Sequence, residues 1–192
     1  MMQFDATSTA LIVMDYQGSI LATLPEPDPV IKRVAEAINA TRVAGARVCY
    51  VRVGFTLDEL DDFPLHSAMG QRMKAVAEKV MADAPTSQVD SRLAPQTDDI
   101  VVRKRRVGPF STTDLDAQLK AAGVKTLVMA GTHTSGCVLT GIREAYDLDY
   151  QLFVLSDGCA DADDKVHQFL MDSIFPKQAT VITLAQYARH LD

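Results

Sequence analysis

The sequence predicts a doubly wound α/β fold in which helices cover both faces of a parallel sheet. Six short runs are rich in β-branched residues and almost continuously apolar, as expected for strands that are buried on both faces. These runs span residues 9–15, 46–53, 99–104, 125–131, 150–157 and 179–183. Stretches with helical spacing lie between most of them, and this alternation of strand and helix predicts right-handed crossovers.

Four helices are predicted between these strands. The segment 29–44 forms one buried face at helical spacing, made of Val30, Val34, Ala37, Ile38 and Thr41. In the segment 113–122, Leu115 and Leu119 are four residues apart, and Gly123 ends the helix. Two further helices are expected over 136–148 and 161–175, the second with an aspartate at 161 or 163 as its N-cap.

The chain is expected to form one domain over residues 1–192. Its length of 192 residues suits a single core, and it shows no internal repeat and no linker. The segments 54–66 and 82–98 are the long irregular parts, and loops of this length in a domain are often the wall or lid of a site. Both adjoin predicted strands, so we expect them to lie over one end of the sheet.

Composition narrows the possible partners. The net charge of −6 disfavours nucleic acids and anionic membranes, which bind basic surfaces, and the basic run at 103–106 is too short to change this. No stretch approaches the ~20 apolar residues that span a bilayer, and the N-terminus lacks the basic region of a signal peptide. The three cysteines, Cys49, Cys137 and Cys159, are not clustered. They predict neither a disulfide scaffold nor a zinc site, and they fit a reducing cytoplasm.

Three reactive side chains lie at or near predicted strand ends. Asp15 ends the first run, Lys104 ends the third, and Cys137 follows the fourth by six residues and begins a helix. Taken singly, these are an ordinary turn residue, a solvated charge and a small buried side chain. Ligands of open α/β sheets bind beyond the carboxyl ends of the strands, so the coincidence of all three indicates a site.

The chemistry of this set is that of nucleophilic catalysis. A helix N-terminus and a nearby ammonium group lower the pKa of a thiol, so we expect a lowered pKa for Cys137. A carboxylate can accept the thiol proton and later return it to a leaving group. Backbone N–H groups at the start of the helix, around Gly136, are expected to bind the oxyanion that forms.

The ordered motifs of the chain resemble those of the isochorismatase-like cysteine hydrolases. The stretch "ALIVMDYQ" at 10–17 is similar to the first strand of that family, with its Asp and Gln. Residues 101–161 are similar to its central block: a lysine a few residues before a phenylalanine, then T-x-L, L-x-x-x-G, G-x-x-T-x-x-C-V and a closing S-D. The resemblance spans essentially the whole chain.

This resemblance implies a catalytic triad of Asp15, Lys104 and Cys137, in which the aspartate is the general base and acid. It also implies a non-proline cis peptide bond between Thr132 and His133, in the turn that presents N–H groups to the oxyanion. The implied fold is a six-stranded parallel sheet flanked by helices, assembled as a homodimer or homotetramer.

Departures from the family pattern shape the expected activity. Metal-dependent nicotinamidases carry an Asp-x-His motif with a further histidine after the second strand, whereas residues 54–66 hold only His66 and no such motif. We therefore expect neither metal nor cofactor. Because the cysteine is present, we predict hydrolysis of a C–N bond in a small molecule: an amide, carbamoyl or ureido group. Two alternatives stay open, vinyl-ether hydrolysis by Asp15 without the thiol and a non-catalytic thiol sensor.

Several other side chains are candidates for the pocket. Gln17, Phe55, His66 and Phe110 are expected to contact substrate. The competing interpretation is bracing of the loop for Gln17, core packing for the two phenylalanines and exposure to solvent for His66. Cys159 also follows a strand and is the rival nucleophile, but no base stands at a matching position, so a packing role is expected for it.

Overall fold

The computed structural model describes residues 4–191 of the chain and has a six-stranded parallel sheet at its centre. Its strand order is β3-β2-β1-β4-β5-β6. The strands are β1 Thr9–Met14, β2 Arg47–Val53, β3 Ile100–Lys104, β4 Thr126–Thr132, β5 Gln151–Ala160 and β6 Thr180–Ile182. All five pairings between neighbours are parallel, so the predicted α/β fold and its six strands are confirmed.

Helices cover both faces of the sheet. They are α1 Gly18–Leu21, α2 Pro27–Val43, α3 Leu57–Asp61, α4 Ala68–Ala75, α5 Ala77–Val80, α6 Leu115–Ala121, α7 Leu139–Asp147, α8 Asp164–Phe169 and α9 Leu184–His190. Helices α2 and α9 pack on one face, and α6 and α7 pack on the other. Among residues 4–191, none of these helices combines the length and the apolar composition needed to cross a membrane.

Strand β1 shows how the sheet separates the two cores. All six of its residues are buried, and their side chains alternate between the faces. Leu11 and Val13 pack with the residues of α2, whereas Ile12 and Met14 pack with those of α7. A strand that is apolar on both faces belongs in the middle of such a sheet, because helices cover both of its faces there.

Several local elements differ from the prediction. The expected helix at 136–148 is a π-helical turn, Thr134–Val138, that continues into α7. The expected helix at 161–175 is α8 followed by a π-helical turn, and it is Asp163 whose side chain caps it, by accepting a hydrogen bond from the Lys165 N–H.

The segment 54–66 is not wholly irregular. It contains α3, which begins at a reciprocal capping box between Thr56 and Glu59. Helices α4 and α5 follow, and the three pack on a small separate core of Phe55, Leu60, Phe63 and Val80. We call residues 55–80 the cap segment. The segment 82–98 contains two short 3₁₀ turns, Pro85–Ser87 and Ser91–Leu93.

The strand order places the site. From β1 the chain proceeds outward through β2 and β3, and it then returns to add β4 on the other side of β1. The helices that follow β1 and β4 therefore diverge, and a crevice opens at the carboxyl ends of these two strands. Asp15 follows β1 there, and Thr132 ends β4.

Gly131 allows β4 to approach β1 and the turn beyond it. A Cβ atom at Gly131 would lie 2.8 Å from Val138 Cγ2, 3.1 Å from Met14 Cβ and 3.2 Å from the Met14 carbonyl oxygen. We expect Gly131→Ala to lower the free energy of unfolding by about 1–3 kcal/mol, the usual cost of overpacking a core.

Gly136→Ala is the matched control for this measurement by urea denaturation. A Cβ atom there would have His133 Cβ as its nearest neighbour, at 4.0 Å. Equal stability of the two variants would contradict the close approach inferred at Gly131.

Candidate active site

The backbone of Asp15 is fixed where β1 leaves the sheet. Its N–H donates to the Val51 carbonyl at 2.8 Å, and its carbonyl accepts from Thr132 Oγ1 at 2.9 Å. Its φ angle is +62°, in the left-handed region, which aspartate tolerates better than most residues. The three strands β1, β2 and β4 thus hold this one residue in an unusual conformation with its carboxylate at the crevice.

Lys104 forms a buried ion pair with Asp15. The Lys104 Nζ atom lies 2.7 Å from Asp15 Oδ2, and the two side chains are 2% and 8% exposed. The same ammonium group donates to the Val107 carbonyl at 2.6 Å. The second carboxylate oxygen, Oδ1, is buried and has no hydrogen-bond partner among residues 4–191. This oxygen is placed to take up a proton.

Cys137 lies in the π-helical turn that precedes α7. Its thiol is directed towards two carbonyl groups of that turn, with Sγ 3.4 Å from the Thr132 oxygen and 3.7 Å from the His133 oxygen. The thiol and the Asp15 carboxylate each shift the pKa of the other. The two contacts of Sγ given above run to backbone carbonyl groups and not to Asp15. The peptide bond between Thr132 and His133 is cis, at the position that the family resemblance implied.

The backbone N–H groups of the turn are largely occupied. The Gly136 N–H, suggested above as an oxyanion donor, donates to the His133 carbonyl at 3.0 Å. The Ser135 N–H donates to Asp161 Oδ2 at 2.7 Å. A substrate oxygen would therefore have to displace the bond at Gly136 before that N–H could bind it.

His133 borders the crevice through its side chain. Its Nε2 atom is 2.7 Å from Thr23 Oγ1, and its Nδ1 atom is 3.9 Å from Asp161 Oδ1. Asp161 therefore contacts both the imidazole and the Ser135 N–H, and it ties the turn to the end of β5.

The electrostatics of the site differ from the sequence expectation. Burial raises the pKa of the Cys137 thiol well above its ordinary value, and the negative charge of Asp15 raises it further, against the opposing effect of Lys104. The expectation of a lowered pKa is therefore wrong, because the thiol is buried beside a carboxylate.

Burial likewise raises the pKa of Asp15, although Lys104 opposes this. Burial would lower the pKa of Lys104, but the charges of Asp15 and Cys137 outweigh burial, and the pKa is raised.

These three side chains face a cavity of about 270 Å³. Its other walls are partly apolar and partly polar, and they consist of Ile20, Val53, Met69, Met73, Arg106, Val107, Thr132, His133, Ser135 and Gly136. The cavity is smaller than the roughly 300–1,000 Å³ of sites for drug-sized ligands, so it suits a small substrate.

None of the four other residues expected to contact substrate lines this cavity. Gln17 is buried, and its side-chain amide braces two segments by donating to the Val53 and Ser87 carbonyls, at 2.7 Å each. Phe55 is fully buried in the small core of the cap segment. Phe110 packs against Tyr150 and borders a different cavity, and His66 is exposed on its loop.

Two groups of lining residues were missed from the sequence. Met69 and Met73 come from α4, and their spacing of four residues was the signal that places both on one helix face. From the sequence, at most one or two of Arg103, Arg105 and Arg106 were expected to face the site, and Arg106 was not singled out among them. Cys159 lies outside the cavity and is buried, which raises its pKa to about 12. Within residues 4–191, no three His, Cys, Asp or Glu side chains are grouped to hold a metal ion.

Comparison with known proteins identifies the family. The model of the isochorismatase domain matches residues 9–186. The uncharacterized isochorismatase family protein YecD of Escherichia coli O157:H7 is 30% identical over 184 residues, which cover 94% of this chain and 95% of that protein. The chain therefore belongs to the isochorismatase family of hydrolases.

The chain is also similar to a named enzyme and to a solved structure. The ureidoacrylate amidohydrolase RutB of Methylorubrum extorquens is 32% identical over 182 residues, covering 80% of this chain and 70% of that enzyme. The solved structure of an isochorismatase family protein from Burkholderia thailandensis superposes with a TM-score of 0.85 at 28% identity and covers 98% of this chain and 97% of its own.

We expect Asp15→Asn to lower the pKa of Cys137, because the negative charge of Asp15 that raises it is removed. The measurement is the pH profile of Cys137 alkylation by iodoacetamide, read at that residue by mass spectrometry. The wild-type profile should rise only above the ordinary thiol pKa of 9.0. Asp58→Asn removes an exposed carboxylate and should leave the profile unchanged; a higher midpoint in Asp15→Asn would contradict the electrostatics.

We expect Lys104→Met to destabilise the fold by about 3–5 kcal/mol at neutral pH, because it leaves the Asp15 carboxylate buried without its cation. Loss of the cation also raises the pKa of Asp15 further. The folded variant therefore holds the Asp15 proton more tightly than the unfolded chain, whose pKa is near 3.8.

The loss in free energy of unfolding of Lys104→Met relative to wild type should therefore shrink as the pH falls through the raised pKa of Asp15. Urea denaturation of both proteins at several pH values measures this loss. The control is Lys120→Met, which breaks an exposed pair with Asp116 and should cost less than about 1 kcal/mol. A deficit at Lys104→Met that grows towards acid pH would refute the assignment.

Proposed function

We propose that the chain is a metal-independent cysteine hydrolase of a small-molecule amide, carbamoyl or ureido C–N bond. The observation that carries this proposal is the convergence of a buried thiol, a carboxylate and a paired ammonium group on one small cavity; one oxygen of that carboxylate has no partner in the described part of the chain. The similarity to an enzyme named as a ureidoacrylate amidohydrolase supports the choice of bond. The three cysteines are all free, which suits a reducing cytoplasm.

The first half of the reaction forms a thioester. Asp15 accepts the Cys137 proton, and the sulfur adds to the substrate carbonyl carbon while the π electrons move to the oxygen. Because the pKa of the thiol is raised, it is neutral at rest and transfers its proton only as it attacks. The Cys137 N–H binds the oxyanion, and Asp15 then protonates the nitrogen as the C–N bond breaks.

The second half releases the acid. Asp15, again a carboxylate, takes a proton from a water molecule whose oxygen adds to the thioester carbonyl. The C–S bond breaks, the sulfur recovers the proton from Asp15, and the acid product leaves. Lys104 stays protonated throughout and stabilises negative charge on Asp15 or on the sulfur, whichever carries it.

The buried pair of Asp15 and Lys104 would also serve a second candidate, vinyl-ether hydrolysis. The raised pKa of Cys137 keeps the thiol neutral, and in that reaction the thiol is a bystander while Asp15 protonates the substrate. A thiol sensor is the weaker alternative, because Cys137 is only 2% exposed and oxidants reach buried thiols slowly.

The deciding experiment compares Cys137→Ala with Cys159→Ala on ureidoacrylate and a panel of small amides and ureido acids. We expect Cys137→Ala to lose about 1,000-fold or more of kcat/KM, since the nucleophile is removed. Cys159→Ala removes a thiol that does not line the cavity and should retain activity.

Mass spectrometry of the reacting wild-type enzyme supplies the second readout. The expected result is an acyl adduct on Cys137. Full activity of Cys137→Ala, with no adduct on the wild-type chain, would reject the thioester route.

A further inference from the structure

We propose that this enzyme acts on an anionic substrate and that Arg106 binds the substrate carboxylate while Cys137 attacks the amide carbonyl. Both residues line the same cavity. The substrate class rests on the proposed function, whereas the anion-binding role of Arg106 can be tested apart from it.

Arg106 differs from the other cations of the basic run, because no counter-ion pairs with it in the part of the chain that the structure describes. Arg103 pairs with Glu59 at 2.6 Å, Arg105 pairs with the same carboxylate at 3.6 Å, and Lys104 pairs with Asp15 at 2.7 Å. Within residues 4–191, no carboxylate lies within 4.0 Å of the Arg106 guanidinium group. Its guanidinium group donates from Nη1 to the Arg105 carbonyl at 2.7 Å.

The guanidinium group of Arg106 is nevertheless held in place. Its central carbon lies 4.3 Å from the centroid of the Phe63 ring, and Phe63 is buried in the cap segment. Stacking on an aromatic face leaves the N–H edge of a guanidinium group free to donate two parallel hydrogen bonds to a carboxylate. The contact thus orients Arg106 without using its remaining donors.

The other walls constrain the rest of the molecule. Asp15 and Lys104 neutralise each other, so they leave no net charge for an anion to meet at the nucleophile. Met69, Met73 and Val107 supply apolar surface. A substrate that carries a carboxylate, a C–N carbonyl group and apolar surface matches this lining.

The test uses two reagents that differ in charge and attack the same thiol. Iodoacetate carries a carboxylate, iodoacetamide carries a neutral amide, and each transfers its two-carbon group to the sulfur with loss of iodide. The ratio of their rates at Cys137, read by mass spectrometry, cancels effects on the reactivity of the thiol itself. Glutathione supplies the ratio for a free thiol.

We expect Arg106→Gln to lower the iodoacetate-to-iodoacetamide ratio about fivefold, the effect of losing one partly exposed ion pair. Arg105→Gln is the matched control, since it removes the same charge from the neighbouring residue, which lies outside the cavity. It should change the ratio less than twofold. Arg106→Lys, which keeps the charge but loses the planar fork, should give an intermediate ratio.

Three results would overturn the proposal: equal ratios in wild type and Arg106→Gln, equal effects of the two glutamine variants, or failure of both reagents to reach Cys137. Circular dichroism confirms that each variant is folded before the ratio is interpreted. A lowered ratio together with an absent acyl adduct would reject the hydrolase but retain the anion site. An acyl adduct on Cys137 together with an unchanged iodoacetate-to-iodoacetamide ratio would reject the anion site at Arg106 but retain the hydrolase.

Discussion

The buried ion pair between Asp15 and Lys104 is the constraint on which the site depends. Neither charge would be stable alone at that depth, so each side chain requires the other. The pair joins the ends of β1 and β3, which are separated by β2 in the sheet. Within residues 4–191 it leaves one buried carboxylate oxygen, Oδ1, without a hydrogen-bond partner, and this is the oxygen that we propose as the proton acceptor.

Sheet topology explains why such a costly arrangement is possible. The backbone of Asp15 is bonded to Val51 on β2 and to Thr132 on β4, so its position is set by the most buried part of the fold. Cys137 is attached to the same β4 strand through a short turn. A carboxylate and a thiol supplied by adjacent central strands are therefore placed by the sheet rather than by flexible loops.

The sequence was informative where one local rule controls the outcome. Continuously apolar runs predicted all six strands, and strand ends predicted which reactive residues meet at the carboxyl edge. The sequence was uninformative where the environment of a residue depends on which distant segments pack over it. Phe55 and Phe110 are apolar, and only the packing of distant segments decides that they enter a core rather than the pocket. The direction of the Cys137 pKa shift likewise depends on burial by residues far along the chain.

The cap segment has a core of its own, formed by Phe55, Leu60, Phe63 and Val80, apart from the two cores that flank the sheet. It contributes two methionines to the cavity wall and the ring beneath Arg106, but no member of the nucleophile turn. Substitutions at Met69 and Met73 therefore change the cavity wall and leave the residues of the ion pair and of the nucleophile turn unchanged. In evolutionary terms, the cap segment is a part of the cavity that can diverge separately from Asp15, Lys104 and Cys137.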